Sequence, residues 1–194
     1  MKRVLSLLAL LCFAWLASSA WAADAGRNAI AAFKQAPESA GFFRTAYAYA
    51  LFPTVGKGGA LVGAAYGKGW VYEHGRYVGD ASMKQLTVGF QLGGQAYSEI
   101  IFFQNKAAFD RFTSGNFEFG GEASAVAITA GARAHAGTTG TSASANVGNQ
   151  SAAQRGGYAS NGVAVFTVAK AGLMFEAVLN GQKFNYKPRP RPHG

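Results

Sequence analysis

Two lysines stand between glycines in one apolar run, LFPTVGKGGALVGAAYGKGW (51–70): Gly56-Lys57-Gly58 and Gly67-Lys68-Gly69. Glycine lets backbone N–H groups approach an anion and form a concave nest, and an ammonium group adds point charge, so the pattern suits phosphate. The bland alternative is that the glycines serve turns and sheet crowding while the lysines are merely solvated. Nucleotide chemistry is excluded by spacing. A phosphate loop of the G-x-x-x-x-G-K-[ST] type needs glycine where Leu51 and Val62 stand, and Ser or Thr where Gly58 and Gly69 stand. The dinucleotide pattern G-x-G-x-x-G needs glycine at Leu61 or Tyr72.

Other reactive groups are sparse. His74, His135 and His193 have no second histidine at ligand spacing, and adjacent Glu73 would point to the opposite strand face. No G-x-S-x-G nucleophile elbow occurs. Glu99, in YSEIIFF, enters an apolar strand and needs a partner; an ion pair with a lysine is the expectation, a catalytic acid the alternative. Glu176, in LMFEAVL, poses the same choice. No enzyme, cofactor or metal site is expected. Lys170, in VAKAGLMF, is a third base in apolar surroundings.

The elements that must carry these residues follow from periodicity. Met1-Lys2-Arg3, an apolar Val4–Leu16 and the small-x-small Ala20-Trp21-Ala22 read as a signal peptide, so residues 1–22 are expected to be removed and the product to be exported, in the periplasm. That cut takes the single cysteine, Cys12, leaving neither a disulfide nor a thiol. Of 18 bases, loss of Lys2 and Arg3 leaves 16 against 9 acids, a net charge of +7. The excess favours an anionic partner. The bases are scattered singly, unlike the stripe of a nucleic-acid protein, and no later run is long enough for a transmembrane helix.

Asp24–Ala36 reads as a helix stopped by Pro37, with a further helical turn in Glu38–Arg44. From Tyr47 the period becomes two. Leu86, Val88, Phe90 and Leu92 are expected on a buried strand face, and Ile100–Phe103 in a central strand covered on both sides. His74-Gly75 and Asn180-Gly181 read as hairpin turns. Asn105 and Gly115 bracket a short helix with Phe109 and Phe112 on one face. Residues 137–161 read as a mobile loop, and 188–194 as a disordered basic Pro-rich tail. The chain is thus expected to be one α+β domain over 23–187, mainly antiparallel β-structure as a curved sheet or partly closed barrel, with a few short helices packed on it. The 26 glycines fit tight turns in such a sheet.

The stretches Phe52-Pro53-x-Val55-x-Lys57-Gly58-Gly59, Tyr66-Gly67-x-Gly69, GFQLGGQAYSEIIFF (89–103), AFDRF (108–112), NFEFGGEASA (116–125) and VAVFTVAKAGLMFEAVLNGQKFNY (163–186) resemble the SYLF lipid-binding domain family in one order. The resemblance implies binding rather than catalysis. Eukaryotic relatives bind phosphoinositide-rich membranes and some bundle actin, which is not expected of an exported bacterial member. Carried onto this sequence, it implies phosphate contacts at Lys57 first, then Lys170 and Lys68, with Lys84 and Arg44 as neighbouring bases. The implied partner is an anionic phospholipid or membrane surface. Lys57 and Lys170 are expected on one side of the sheet, the glycines shaping turns around them. A structural, envelope-associated protein without a lipid ligand, and a small outer-membrane barrel, are the rival readings.

Overall fold

A computed structural model describes residues 23–59, 62–88, 95–115, 117, 119, 126–128, 157–171 and 181–190. Helix α1 (23–35) leads into two short turns, α2 (Pro37–Ala40) and α3 (Phe42–Thr45). Pro37 starts α2 at its first position, where a missing N–H costs nothing, so it both ends one helix and opens the next. Strands β1 (Ala48–Gly59), β2 (Val62–Glu73), β3 (Arg76–Val88) and β4 (Gln95–Phe103) follow. Then come α4 (Lys106–Thr113), β5 (Val126–Ile128), β6 (Val163–Ala171) and β7 (Gln182–Pro188). The sheet order is β5-β6-β4-β1-β2-β3-β7, antiparallel throughout except for the β5–β6 edge. The fold is α+β, mainly antiparallel.

Local chemistry explains these elements. His74 and Gly75 both have positive φ (49° and 77°), which turns β2 tightly into β3. Asn105 caps α4, its Oδ1 accepting from the Ala108 N–H at 3.0 Å, and Gly115 ends that segment at φ 80°. Ile100–Phe103 are fully buried between β1 and β6, as a strand apolar on both faces requires.

The two faces of the sheet bury different clusters. The inner face carries Ala50, Phe52, Val55, Met83, Ile101, Phe103 and Phe184. The outer face carries Leu51, Ile100, Phe102, Phe166 and Val168, covered at one end by Ala29 and Phe33 of α1 and Phe42 of α3. Four steps of about 4.8 Å separate β4 from β7 in a flat sheet. Nevertheless Gln182 Nε2 of β7 donates to Glu99 Oε2 of β4 at 3.0 Å, and Phe52 meets Phe184 with ring centroids 5.7 Å apart. The sheet therefore curls around its inner face. Phe112 of α4 fills the mouth, 4.8 Å from Phe103 and 5.4 Å from Phe184.

Several expectations are corrected. Leu86 lies on the outer face and is 75% exposed, whereas Gly79, Ala81, Met83 and Gln85 of β3 are buried. Val88 ends β3, while Phe90 and Leu92 lie outside the described residues. Pro188, assigned to the tail, is the last residue of β7, and the Arg189 N–H donates to the Val78 carbonyl at 2.8 Å. Neither glycine-flanked lysine is in a turn, because Lys57 lies within β1 and Lys68 within β2, two strands that pair antiparallel. Residues 1–22, most of 137–161, and 172–180 with Glu176 and Asn180, lie outside the described residues.

Candidate functional site

The motif Phe52-Pro53-Thr54-Val55 decides which way each base points. Pairing of β1 with β2 shifts by one residue between Leu51 and Thr54, and with β4 between Phe52 and Val55. Pro53 has no N–H to give to the ladder, which suits it to a bulge. Its carbonyl accepts from Ser98 Oγ at 2.8 Å. The extra residue puts both Phe52 and Val55 on the inner face and turns Thr54 outward.

Lys57 is two residues beyond Val55 and opposite inner-face Ala65, so it belongs to the inner face. It is half-buried, and that burial lowers its ammonium pKa. Lys170 is the extra residue of a second irregularity, where β6 passes from Ala169 opposite Tyr97 to Ala171 opposite Ala96. Its Nζ reaches across β4 and donates to Thr54 Oγ1 at 2.9 Å, on the outer face. Partial burial lowers its pKa as well. The structure thus separates Lys57 and Lys170 onto opposite faces, contrary to expectation, and the Pro53 bulge is the cause.

Lys170 instead joins other bases. Thr54 is opposite Lys68 of β2, which is opposite Ser82 of β3, which is opposite Asn185 of β7. One step towards the open strand ends, Tyr66, Lys84 and Lys183 form the next outer-face row. One step the other way, Trp70, Asp80 and Lys187 form a third. Lys68, Lys84, Lys170, Lys183 and Lys187 are all exposed. The one carboxylate in these rows is Asp80, which accepts from Tyr77 Oη at 2.8 Å. Elsewhere, Arg27 and Lys106 are each paired within their own helices, with Asp24 and Asp110. An open groove of about 780 Å³ runs between Thr54 and Lys187, floored by Gly67, Gly69 and Ala81 and walled by Lys68 and Trp70.

The glycines around Lys68 serve packing, not a nest. A Cβ on Gly69 would stand 2.4 Å from the Leu51 carbonyl oxygen and 2.7 Å from the Phe52 ring, and one on Gly67 would stand 2.8 Å from Val55. They let β2 cross the bulge closely while Lys68 points away. Gly56, beside Lys57, has open space. Arg44 is exposed at the end of α3, before β1 begins, and does not join the rows around Thr54. Sequence reasoning missed Lys183 and Lys187 as members. Their alternation with Gln182, Phe184 and Tyr186 was the available signal.

Glu99 has no lysine partner among the described residues; Gln182 takes that place. Burial raises its carboxyl pKa from 4.5 to about 7, partly offset by the Gln182 amide. Glu99 Oε1, Gln182 Oε1 and Thr167 Oγ1, from three strands, are buried without a hydrogen-bond partner among the described residues. Thr167 is the direct cross-strand neighbour of Glu99. One proton on Glu99 turns an acceptor into a donor amid acceptors, so the neutral acid fits this interior.

The curled sheet thus has a packed inner face and a basic outer one. Among the described residues, no group of three His, Cys, Asp or Glu side chains could hold a metal ion, and no helix is long and apolar enough to cross a membrane. The family model described as "Ysc84: Las17-binding protein actin regulator" matches residues 84–188, which is 105 of the 194 residues. The chain belongs to this family, one of lipid- or actin-binding domains. The match runs from Lys84 to Pro188 and so takes in the end of β3 and all of β4, α4, β5, β6 and β7, while Lys57 and Lys68 precede it. No curated protein matches the chain.

Proposed function

We propose that this protein is a non-enzymatic domain that binds anionic or phosphorylated lipid headgroups through the outer face of β2, β3 and β7. The observation that carries the reading is that, among the described residues, Lys68, Lys84, Lys183 and Lys187 stand exposed in adjacent rows with Lys170 beside them at Thr54 and one carboxylate, Asp80, in those rows. Each base at an anionic bilayer contributes about 1 kcal/mol, so a net of four gives up to about 4 kcal/mol, roughly a thousandfold preference. Screening within a Debye length of about 8 Å makes the association reversible and sensitive to salt. Lys170 is held over Thr54 by a hydrogen bond. Lys57 faces the other way and is not part of this surface.

The leader at residues 1–22 supports a lipid surface over a cytoskeletal partner, since an exported protein, periplasmic and peripheral on a membrane, meets phospholipid rather than filaments. Co-sedimentation at low salt tests the reading. Recovery with vesicles containing phosphatidylglycerol should far exceed recovery with pure phosphatidylcholine, and Lys68→Glu with Lys84→Glu should abolish the difference. Equal recovery with both vesicles overturns it.

A further inference from the structure

Beyond the basic rows, the outer face changes character towards the open ends of the strands. Leu86 stands two residues past Lys84 on β3 and is 75% exposed, and Tyr66, opposite Lys84 on β2, is 47% exposed. These are the exposed large apolar side chains among the described residues. A single exposed leucine needs no explanation. Here, however, Tyr66 and Leu86 are diagonal neighbours on one face, at the roughly 7–8 Å spacing from which aromatic and long side chains meet. They border the Lys84 and Lys183 pair directly. Around Leu86 the surface is low: its β2 partner is Ala64, and Gly56 and Gly58 of β1 have open space around them. Leu86 therefore projects from a floor of small residues.

We propose that Leu86 is the tip that penetrates an anionic bilayer, with Tyr66 at the headgroup level and Lys84 and Lys183 gripping phosphates beside it. This rests on the lipid-surface reading above and adds an orientation: the domain tilts so that the 59/62/88 ends of the strands lead. The ordering along the strands matches the ordering through a bilayer surface. An apolar side chain comes first, then an amphipathic ring of the kind enriched at membrane interfaces, then ammonium groups on long stems, then the Lys68 and Lys170 row. Successive outer-face positions on a strand are about 7 Å apart. Leu86 thus reaches past the lysines by about the depth at which interfacial apolar groups are buried, 5–10 Å. Helix α1 meets this face behind Leu86, with Gly26 against Trp70 and Ala25 lining the groove beside Lys68, so Leu86 leads it in this orientation.

The test uses the chain from Ala23 onward, which has no cysteine, with an environment-sensitive fluorophore on Leu86→Cys, or on Arg76→Cys at the opposite hairpin end. Vesicles of phosphatidylglycerol and phosphatidylcholine, with or without brominated acyl chains, are added at low salt. The expected result is a blue shift and bromine quenching at position 86 and neither at 76. In the unlabelled protein, Leu86→Asp should weaken partitioning about tenfold, while Leu86→Trp should preserve or strengthen it. Binding that persists with the position-86 probe still in water, or that ignores Leu86→Asp, overturns the penetrating tip and leaves the lysine surface standing. Absence of any preference for anionic vesicles overturns both.

Discussion

Replacing Glu99 by Gln should stabilise the protein at neutral and alkaline pH. Glu99 is fully buried, and its carboxyl pKa is raised from 4.5 to about 7. A group that holds its proton more tightly when folded stabilises the native state fully below about pH 4.5. That advantage erodes as pH rises from 4.5 to about 7, because the unfolded chain releases the proton first, and above pH 7 the penalty is constant. At about 1.36 kcal/mol per pH unit, the whole change is about 3 kcal/mol. A glutamine at position 99 keeps an oxygen for Gln182 Nε2 and offers an N–H to Gln182 Oε1, which lacks a partner among the described residues. Urea denaturation of both proteins from pH 4.5 to 8.5 checks this. The stability difference, Glu99→Gln minus the parent, should grow by about 3 kcal/mol across that range and level off above pH 7. A difference that stays flat with pH refutes the neutral-acid interior, whatever its absolute size.

Other outcomes follow from the bulge and the packing. Gly69→Ala should cost about 1–3 kcal/mol in denaturant titrations, because its Cβ meets backbone and the Phe52 ring, whereas Gly56→Ala should change stability little. Phe112→Ala should cost about 3–5 kcal/mol by the same measurement, since the ring is fully buried between Phe103 and Phe184. Thr54→Val should leave stability within about 0.5 kcal/mol but weaken anionic-vesicle binding by freeing the Lys170 side chain. Lys57→Ala should leave vesicle recovery unchanged, as befits a side chain on the inner face.

Much of the architecture was legible in the sequence because it depends on local signals. His74-Gly75 marked the β2–β3 turn, Asn105 and Gly115 bracketed α4, and the unbroken apolar run Ile100–Phe103 marked a strand covered on both faces. The faces were harder to read. Simple alternation from Leu86 predicts an apolar interior, but the curled sheet places Gln85 inside and leaves Leu86 out. Gln85 and Gln182 are opposite each other on the inner face, with Glu99 bonded to Gln182, so polar residues line the interior where the pattern demanded apolar ones. The two bulges had the largest effect on the site. One extra residue at Pro53 reverses every later side chain of β1, carrying Lys57 inward, and one at Lys170 sends that lysine out towards Thr54. Proline in a strand hinted at the first. Nothing local marked the second. The partner of Glu99 depends on how far the sheet curls, which is a property of the whole fold.

The claim that the outer face of β2, β3 and β7 meets anionic lipid is tested most directly by residue-resolved contact mapping. Amide resonances of the protein would be recorded with anionic bicelles carrying a headgroup spin label. Broadening should centre on Tyr66, Lys68, Lys84, Leu86 and Lys183 and spare α4. Broadening centred on Lys57 or α4, or an even loss of signal across all strands, would contradict the account.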